Sequence, residues 1–367
     1  MVDISNYYFP AVSFDDKLGA WIVIGYEEAK QILESDEHFG TLIYSEFQPD
    51  ISHSHEMFLA TGERHRRLRR AFASYCSQSR LKHIQQEVLQ PLAKKLARSL
   101  PLGVGVDIKS RYIEPYCQQS IYHFIGVNSL EGNELIASFR LAHHYFTQEG
   151  ISSPSGRAVQ HLLHEKAREI CDATQAGQLG FIQFTKGFQG ASSLNTDELV
   201  CLILSFFETL AVKSNRDLPM TLIRLIANSD QDIQSKLRDD LNALHNSADE
   251  AVRLQEGTLI PRVAISSVTI GGVKIPAGST VYIMLGATGK NNCIFKSAHL
   301  FDPWRENAKQ HLGFGAGTHS CIGKNVARII AVTAAAELLQ RAERLSFLEL
   351  SGNEPLLILH SRKVDNS

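Results

Sequence analysis

The chain has 367 residues, with 37 Lys and Arg against 39 Asp and Glu, 44% hydrophobic and 21% charged residues. That balance suits an ordinary globular core and argues against nucleic acid as a partner, which would favour a strongly basic chain. No stretch carries the roughly 20 apolar residues of a membrane span. Met1 to Tyr8 lacks a basic segment leading into an apolar one, so a cytoplasmic location is expected. Six cysteines (Cys76, Cys117, Cys171, Cys201, Cys293, Cys321) have no framework spacing, so free thiols are expected. With no linker, charge block or internal repeat, the expectation is a single domain over residues 1–367.

In chain order, Ala20 to Gly25 is β-branched and aromatic and stops at glycine, which predicts a strand, and Tyr26 to Ser35 reads as a helix. Thr41 to Met57 is irregular and polar. Glu63 to Arg70 sets five arginines against one glutamate. His65 and Arg69, four apart, share one helix face there and the other arginines point elsewhere. Leu81 to Ile170 reads mostly as amphipathic helices, with a loop over Ser152 to Ser155. His143, His144, His161 and His164 have no carboxylate or cysteine company and read as surface or packing histidines.

From Thr196 to Val212 the chain is apolar nearly all round behind an acidic first turn, so a buried helix capped by Asn195 or Thr196 is expected. Glu208 and Thr209 lie inside that run. A buried carboxylate is costly unless it is paired, hydrogen-bonded or solvated by a functional water, so Glu208 needs a reason. Pro219 argues that this helix ends near Ser214 or kinks, with Asp217 and Pro219 opening the next. Glu250 and Arg253 are three apart on one helix face. Pro261-Arg262-Val263-Ala264 then begins a β-rich segment, and Gly271-Gly272 predicts a hairpin turn.

The most specific stretch runs from Phe314 to Gly323, ahead of an apolar-periodic run from Lys324 to Leu345. Glycines 315, 317 and 323 permit tight turns. They deliver Cys321 to a helix N-terminus, where unpaired N–H groups favour a thiolate. One thiolate without a Cys-x-x-Cys partner does not make a zinc or iron–sulfur site, and suffices for a metal only if a macrocycle supplies the remaining ligands. A phosphate cradle or a plain turn with an inert cysteine is the other reading of such a loop.

At Phe314, Gly315, Gly317, His319, Cys321 and Gly323 the stretch resembles the haem loop of the cytochrome P450 family, Phe-Gly-x-Gly-x-His/Arg-x-Cys-x-Gly. The resemblance extends over nearly the whole chain in the family's order: basic helix, acid–alcohol helix, Glu-x-x-Arg, Pro-Arg segment, meander arginine, cysteine loop. It implies a mainly α fold with small β-sheets, a soluble bacterial-type enzyme with no fused reductase domain, and haem b with Cys321 as its axial thiolate and metal ligand. His65, Arg69 and Arg262 match binders of the haem propionates, while Phe314, Gly315, His319 and Gly323 match further haem-binding positions of the cysteine loop. Glu208 and Thr209 match the acid–alcohol pair that relays protons. Glu250, Arg253 and Arg305 match a buried structural network, and the irregular Thr41 to Met57 matches part of the substrate-pocket roof. The implied activity inserts one oxygen atom from O2 into a small, partly apolar organic substrate, in the manner of natural-product biosynthesis. Electrons would come from a separate ferredoxin and its reductase, docking near Arg66, Arg67 and Arg70.

Two departures stand out. Ser205 and Phe206 occupy positions where the family usually has Ala/Gly-Gly, and Thr288-Gly289-Lys290-Asn291-Asn292 stands where Ala-Asn-Arg-Asp-Pro is common. Either the helix is rotated or bulged so that Phe206 packs away, or its benzyl group narrows the pocket. The alternatives are therefore a haem-thiolate peroxygenase, a non-redox rearrangement or dehydration enzyme, and a family-derived binding protein without catalysis. Residues around Phe206, Thr258, Leu259 and Ile260 suggest an apolar portion in the substrate.

Overall fold

The computed structural model describes residues 10–41, 60, 62–149, 154–175, 180–187, 194–207, 214–256, 258–349 and 354–361. Its strands are β1 (Val12–Asp15), β2 (Ala20–Val23), β3 (Phe39–Gly40), β4 (Gly105–Val106), β5 (Leu259–Ala264), β6 (Val268–Ile270), β7 (Val273–Ile275), β8 (Thr280–Met284), β9 (Arg344–Leu348) and β10 (Leu356–His360). The helices used below are α1 (Tyr26–Glu34), α2 (Gly62–Tyr75), α3 (Gln90–Ser99), α4 (Glu114–Ile125), α5 (Ser129–Glu149), α6 (Pro154–Ala173), α7 (Phe181–Gly187), α8 (Thr196–Phe206), α9 (Ser214–Ala227), α10 (Leu241–Leu254) and α11 (Lys324–Arg341). Among the described residues helices dominate and the strands form three small sheets, which is the mainly α architecture the motifs implied. Two compact units emerge, Met1–Phe47 with Asp249–Cys321 and Gln48–Ala248 with Ile322–Ser367, each drawn from separated stretches of chain.

The first unit is built on a five-stranded sheet of order β1-β2-β8-β5-β3. The β1–β2 hairpin sets Phe14 opposite Trp21, with their rings edge-on at 5.2 Å. β2 pairs parallel with β8, and β5 runs antiparallel to β8 with Arg262 opposite Val281. Alternation along β8 buries Val281 and Ile283, and the inward face of α1 adds Ala29, Ile32 and Leu33 to the same core. The side-chain period of two in the strand and 3.6 in the helix makes this packing possible. Gly271 and Gly272, at φ 55° and 79°, form the turn of the β6–β7 hairpin, where two positive φ angles are what such a tight connection demands.

The second unit is helical, with a three-stranded sheet of order β4-β10-β9. α11 packs on α3 and buries Val326, Ile330, Ala334 and Leu338. Tyr112 and Tyr116, both fully buried, donate their hydroxyls to the carbonyls of Ala334 (2.9 Å) and Ile330 (3.2 Å). The apolar run after the cysteine loop is helical only as far as Arg341, and Leu345 belongs to β9.

α8 opens on a capping box in which Asn195 Oδ1 accepts from Glu198 N–H (2.9 Å) and Glu198 accepts from Asn195 N–H (3.1 Å). Every residue from Glu198 to Phe206 is buried, as expected for an all-round apolar helix. Pro219 sits inside α9 rather than opening it, because the only backbone bond it removes there is its own N–H to Asn215 and the flanking apolar packing holds the helix. Ser155 likewise lies within α6, whose first residue is Pro154; Ser152 and Ser153 fall outside the described residues. A proline with φ near its helical value is pre-organised for that first turn.

Candidate active site

The cysteine loop belongs to the first unit and is tied down along its length. Cys321 N–H donates to the Phe314 carbonyl at 2.7 Å, and Gly315 N–H to the Leu312 carbonyl at 2.7 Å. Gly315 and Gly317 take φ +70° and +68°, angles that an L side chain resists. A Cβ on Gly317 would also overlap the Leu33 carbonyl oxygen at the end of α1. Thr318 Oγ1 donates to Asp36, and Tyr26 Oη donates to the Gln310 carbonyl at 2.6 Å. Ile260 Cδ1 comes close to Gly315. The loop ends on Cys321, an exposed cysteine outside any disulfide, and Gly323 is the residue on which α11 begins. Phe314 and His319 are half-buried.

Behind this loop the last turn of α10 holds the Glu-x-x-Arg pair. Glu250 and Arg253 have side chains with no exposure. Arg253 donates from Nε to Glu250 Oε1 (2.6 Å) and from a terminal nitrogen to Oε2 (2.8 Å). Arg305 Nε donates to the same Oε1 at 2.9 Å, and Asp302 N–H to Oε2 at 3.1 Å. The remaining guanidinium N–H groups reach the carbonyls of Gly289, Ala298, Leu300 and Lys296. A buried carboxylate facing two buried cations is tolerable because its oxygens and their donors are so extensively satisfied. Gly289 is required within that arrangement, since a Cβ there would overlap the Arg253 carbonyl. The departure at Thr288 to Asn292 therefore keeps the space the network needs.

One contact had no motif to announce it. His311 and Asp249 are both buried, with His311 Nε2 and Asp249 Oδ1 3.3 Å apart, while His311 Nδ1 accepts from Gly313 N–H at 3.0 Å. The available signals were the position of Asp249 beside Glu250 and of His311 shortly before Phe314, and neither identifies a partner.

In the second unit, α2 turns His65, Leu68 and Phe72 inward, with Arg69 half-buried on the same side. The helical period thus places the two candidate propionate donors together. Arg66 and Arg70 are exposed and both engage Glu63, whose carboxyl their hydrogen bonds hold below its usual range. Arg67 departs from the surface role expected of it. It pairs with Glu198 of α8, whose side chain is only 4% exposed, so it is an anchor between helices and not a free docking cation.

Phe206 is enclosed by Phe72 (4.5 Å between ring centroids) and Phe181 (5.4 Å, edge-on), so its bulk is taken up by packing among α8, α2 and α7. The helix widens into a π turn at Phe207, the kind of irregularity that redirects side chains. Glu208 and Thr209, like Thr41 to Met57 from residue 42 onward, lie outside the described residues. Arg262 on β5 is 6% exposed, and one terminal N–H of its guanidinium donates to the Pro261 carbonyl at 2.9 Å. His161 is an exposed histidine as expected, but Glu165 one turn along α6 is paired with it at 3.2 Å, so it does have a carboxylate neighbour.

Among the described residues no cluster of three or more His, Cys, Asp or Glu is placed to hold a metal ion. A single accessible sulfur at the end of a pinned, glycine-shaped loop fits an iron whose other in-plane ligands come from a macrocycle. His65, Arg69 and Arg262 are cationic or hydrogen-bonding groups of the type that holds propionates. Among the described residues no helix is long and apolar enough to cross a membrane.

Comparison with known proteins points the same way. Residues 222–361 match the protein-family model described as Cytochrome P450. The chain is 26% identical to the 6-deoxyerythronolide B hydroxylase of Saccharopolyspora erythraea over 89% of its length and 84% of that protein. It is 28% identical to the cytochrome P450 monooxygenase PikC of Streptomyces venezuelae, over 91% and 80%. Among solved structures, epothilone D-bound cytochrome P450epoK superposes with a TM-score of 0.79 at 19% identity, covering 96% of this chain and 94% of that one.

Proposed function

Because the chain belongs to the cytochrome P450 family of monooxygenases, we propose that it hydroxylates a small, partly apolar organic molecule at a haem held by Cys321. The observation that carries this reading is the exposed Cys321 thiol on a loop pinned by Tyr26, Asp36 and Gly317. His65, Arg69 and Arg262 would hold the propionates, and Phe314, Gly315, His319 and Gly323 would bind the haem from the cysteine loop. When bound, such a haem supplies reductive activation of O2 and insertion of one oxygen atom into the substrate.

The chain's own residues then have distinct tasks. The Cys321 sulfur is kept as a thiolate by its place before the α11 N-terminus. The Glu208 carboxyl relays protons and the Thr209 hydroxyl holds the hydrogen-bond network that receives them. The aromatic packing around Phe206 stiffens the helix that leads into this pair. Electrons come from a separate ferredoxin, for which Arg66 and Arg70 offer exposed charge. The whole chain acts as one cytochrome P450 domain in the cytoplasm. Relatives whose names include hydroxylase and monooxygenase support oxygen insertion over the peroxide-driven or non-redox alternatives, and support a role in natural-product tailoring.

The test is the absorption spectrum of the reduced protein with carbon monoxide. A strongly red-shifted Soret band, lost in Cys321→Ser, is expected. Haem bound without that band, or an unchanged band in Cys321→Ser, refutes the assignment of Cys321.

A further inference from the structure

We propose that His311, oriented by Asp249, is a positioning residue for Cys321: it holds the Leu312–Gly313 peptide, whose carbonyl in turn holds the Phe314–Gly315 peptide on which the cysteine loop closes, and so keeps the sulfur in the attitude of a thiolate ligand. This rests on the reading of Cys321 as the haem ligand. All the groups involved lie in the first unit. The backbone N–H of Gly313 points at His311 Nδ1 (3.0 Å), and a ring nitrogen that accepts from an N–H carries no proton. The proton therefore resides on Nε2, facing Asp249 Oδ1 at 3.3 Å. Each ring nitrogen has a defined role, and the carboxylate selects the tautomer that can receive the loop's N–H.

The connection onward is short. Gly313 is followed by Phe314, whose carbonyl accepts the Cys321 N–H at 2.7 Å. Phe314 also packs its ring against the His311 ring, with centroids 5.4 Å apart. The Gly313 N–H shares its peptide with the Leu312 carbonyl, which accepts the Gly315 N–H at 2.7 Å, and that N–H shares its peptide with the Phe314 carbonyl on which the loop closes. Gly313 lies directly against α10, where a Cβ would overlap Val252 Cγ1. Asp249 is the residue before Glu250, so a single turn of α10 holds the meander through Glu250 and Arg305 and the cysteine loop through Asp249 and His311. A buried, doubly bonded imidazole with a buried carboxylate partner is more than packing needs, since an aromatic ring of equal size would fill the same space.

The experiment follows the reduced, carbon monoxide-treated holoprotein over time and reads how fast the red-shifted, thiolate-type Soret band converts to the blue-shifted, thiol-type band. His311→Phe keeps a ring and removes both hydrogen bonds; conversion should be about tenfold faster, the scale set by loss of one net hydrogen bond. His311→Asn restores an oxygen acceptor for Gly313 N–H and should return the rate to within about twofold of the original chain. Asp249→Asn keeps an acceptor for Nε2–H and should behave like the original, whereas Asp249→Val should behave like His311→Phe. If His311→Phe fails to retain haem, the two Asp249 variants decide. Equal rates in Asp249→Asn and Asp249→Val, or in His311→Asn and His311→Phe, overturn the proposal. Failure of the underlying reading looks different, because the original chain then shows no red-shifted band, or Cys321→Ser keeps one.

Discussion

Arg67 and Glu198 are partners with unequal exposure, and that inequality predicts an asymmetric response to mutation. The Arg67 side chain is 34% exposed and that of Glu198 is 4% exposed. Arg67→Met leaves a carboxylate that cannot reach water, and breaking a buried pair in this way costs about 3 kcal/mol or more. Glu198→Gln leaves a guanidinium that water can solvate and keeps a side-chain oxygen for the Asn195 N–H, so it should cost about 1 kcal/mol. Glu198→Ala also removes that cap acceptor and should cost about 2 kcal/mol. The double variant Arg67→Met with Glu198→Gln should be more stable than Arg67→Met alone, because it removes the stranded charge. Urea unfolding followed by circular dichroism measures these differences. Equal losses for Arg67→Met and Glu198→Gln, or a double variant no more stable than Arg67→Met alone, would refute the reasoning.

Two other outcomes are expected. Replacing Arg66 and Arg70, whose side chains are 65% and 56% exposed, by glutamate should slow reduction by a ferredoxin about tenfold at low ionic strength. Haem content should be unchanged, and stopped-flow reduction at the original rate counts against docking there. Thiol alkylation near neutral pH should label Cys293 and Cys321, which are exposed, and spare the others. Burial pushes the Cys76 thiol far up and that of Cys171 up to about 12, keeping both protonated and unreactive. Adding haem should remove Cys321 from the labelled set, as read by mass spectrometry, and labelling of Cys321 at an unchanged rate would contradict its role as ligand.

The sequence by itself determined what depends on near neighbours in the chain. Glycine spacing determined the left-handed turns at Gly315 and Gly317, and helical periodicity paired His65 with Arg69 and Glu250 with Arg253. All-round apolarity marked α8 as buried, and Asn195 or Thr196 as its cap marked the start, while the return bond from Glu198 came from the structure. The order of these elements carried the fold class. What only the tertiary structure decided is which distant groups meet. Five arginines crowd α2, and nothing local says that Arg67 is the one to meet an acid 131 residues away. His311 and Asp249 are 62 residues apart, and each taken alone reads as an ordinary polar residue. Phe206 departs from the family's small residues, and its effect depends on the rings of Phe72 and Phe181 that surround it. Pro219 breaks a helix in isolation, yet the packed α9 contains it. Local preferences are worth a few kcal/mol at most, whereas the burial of charge and the filling of space are settled by the whole packed core.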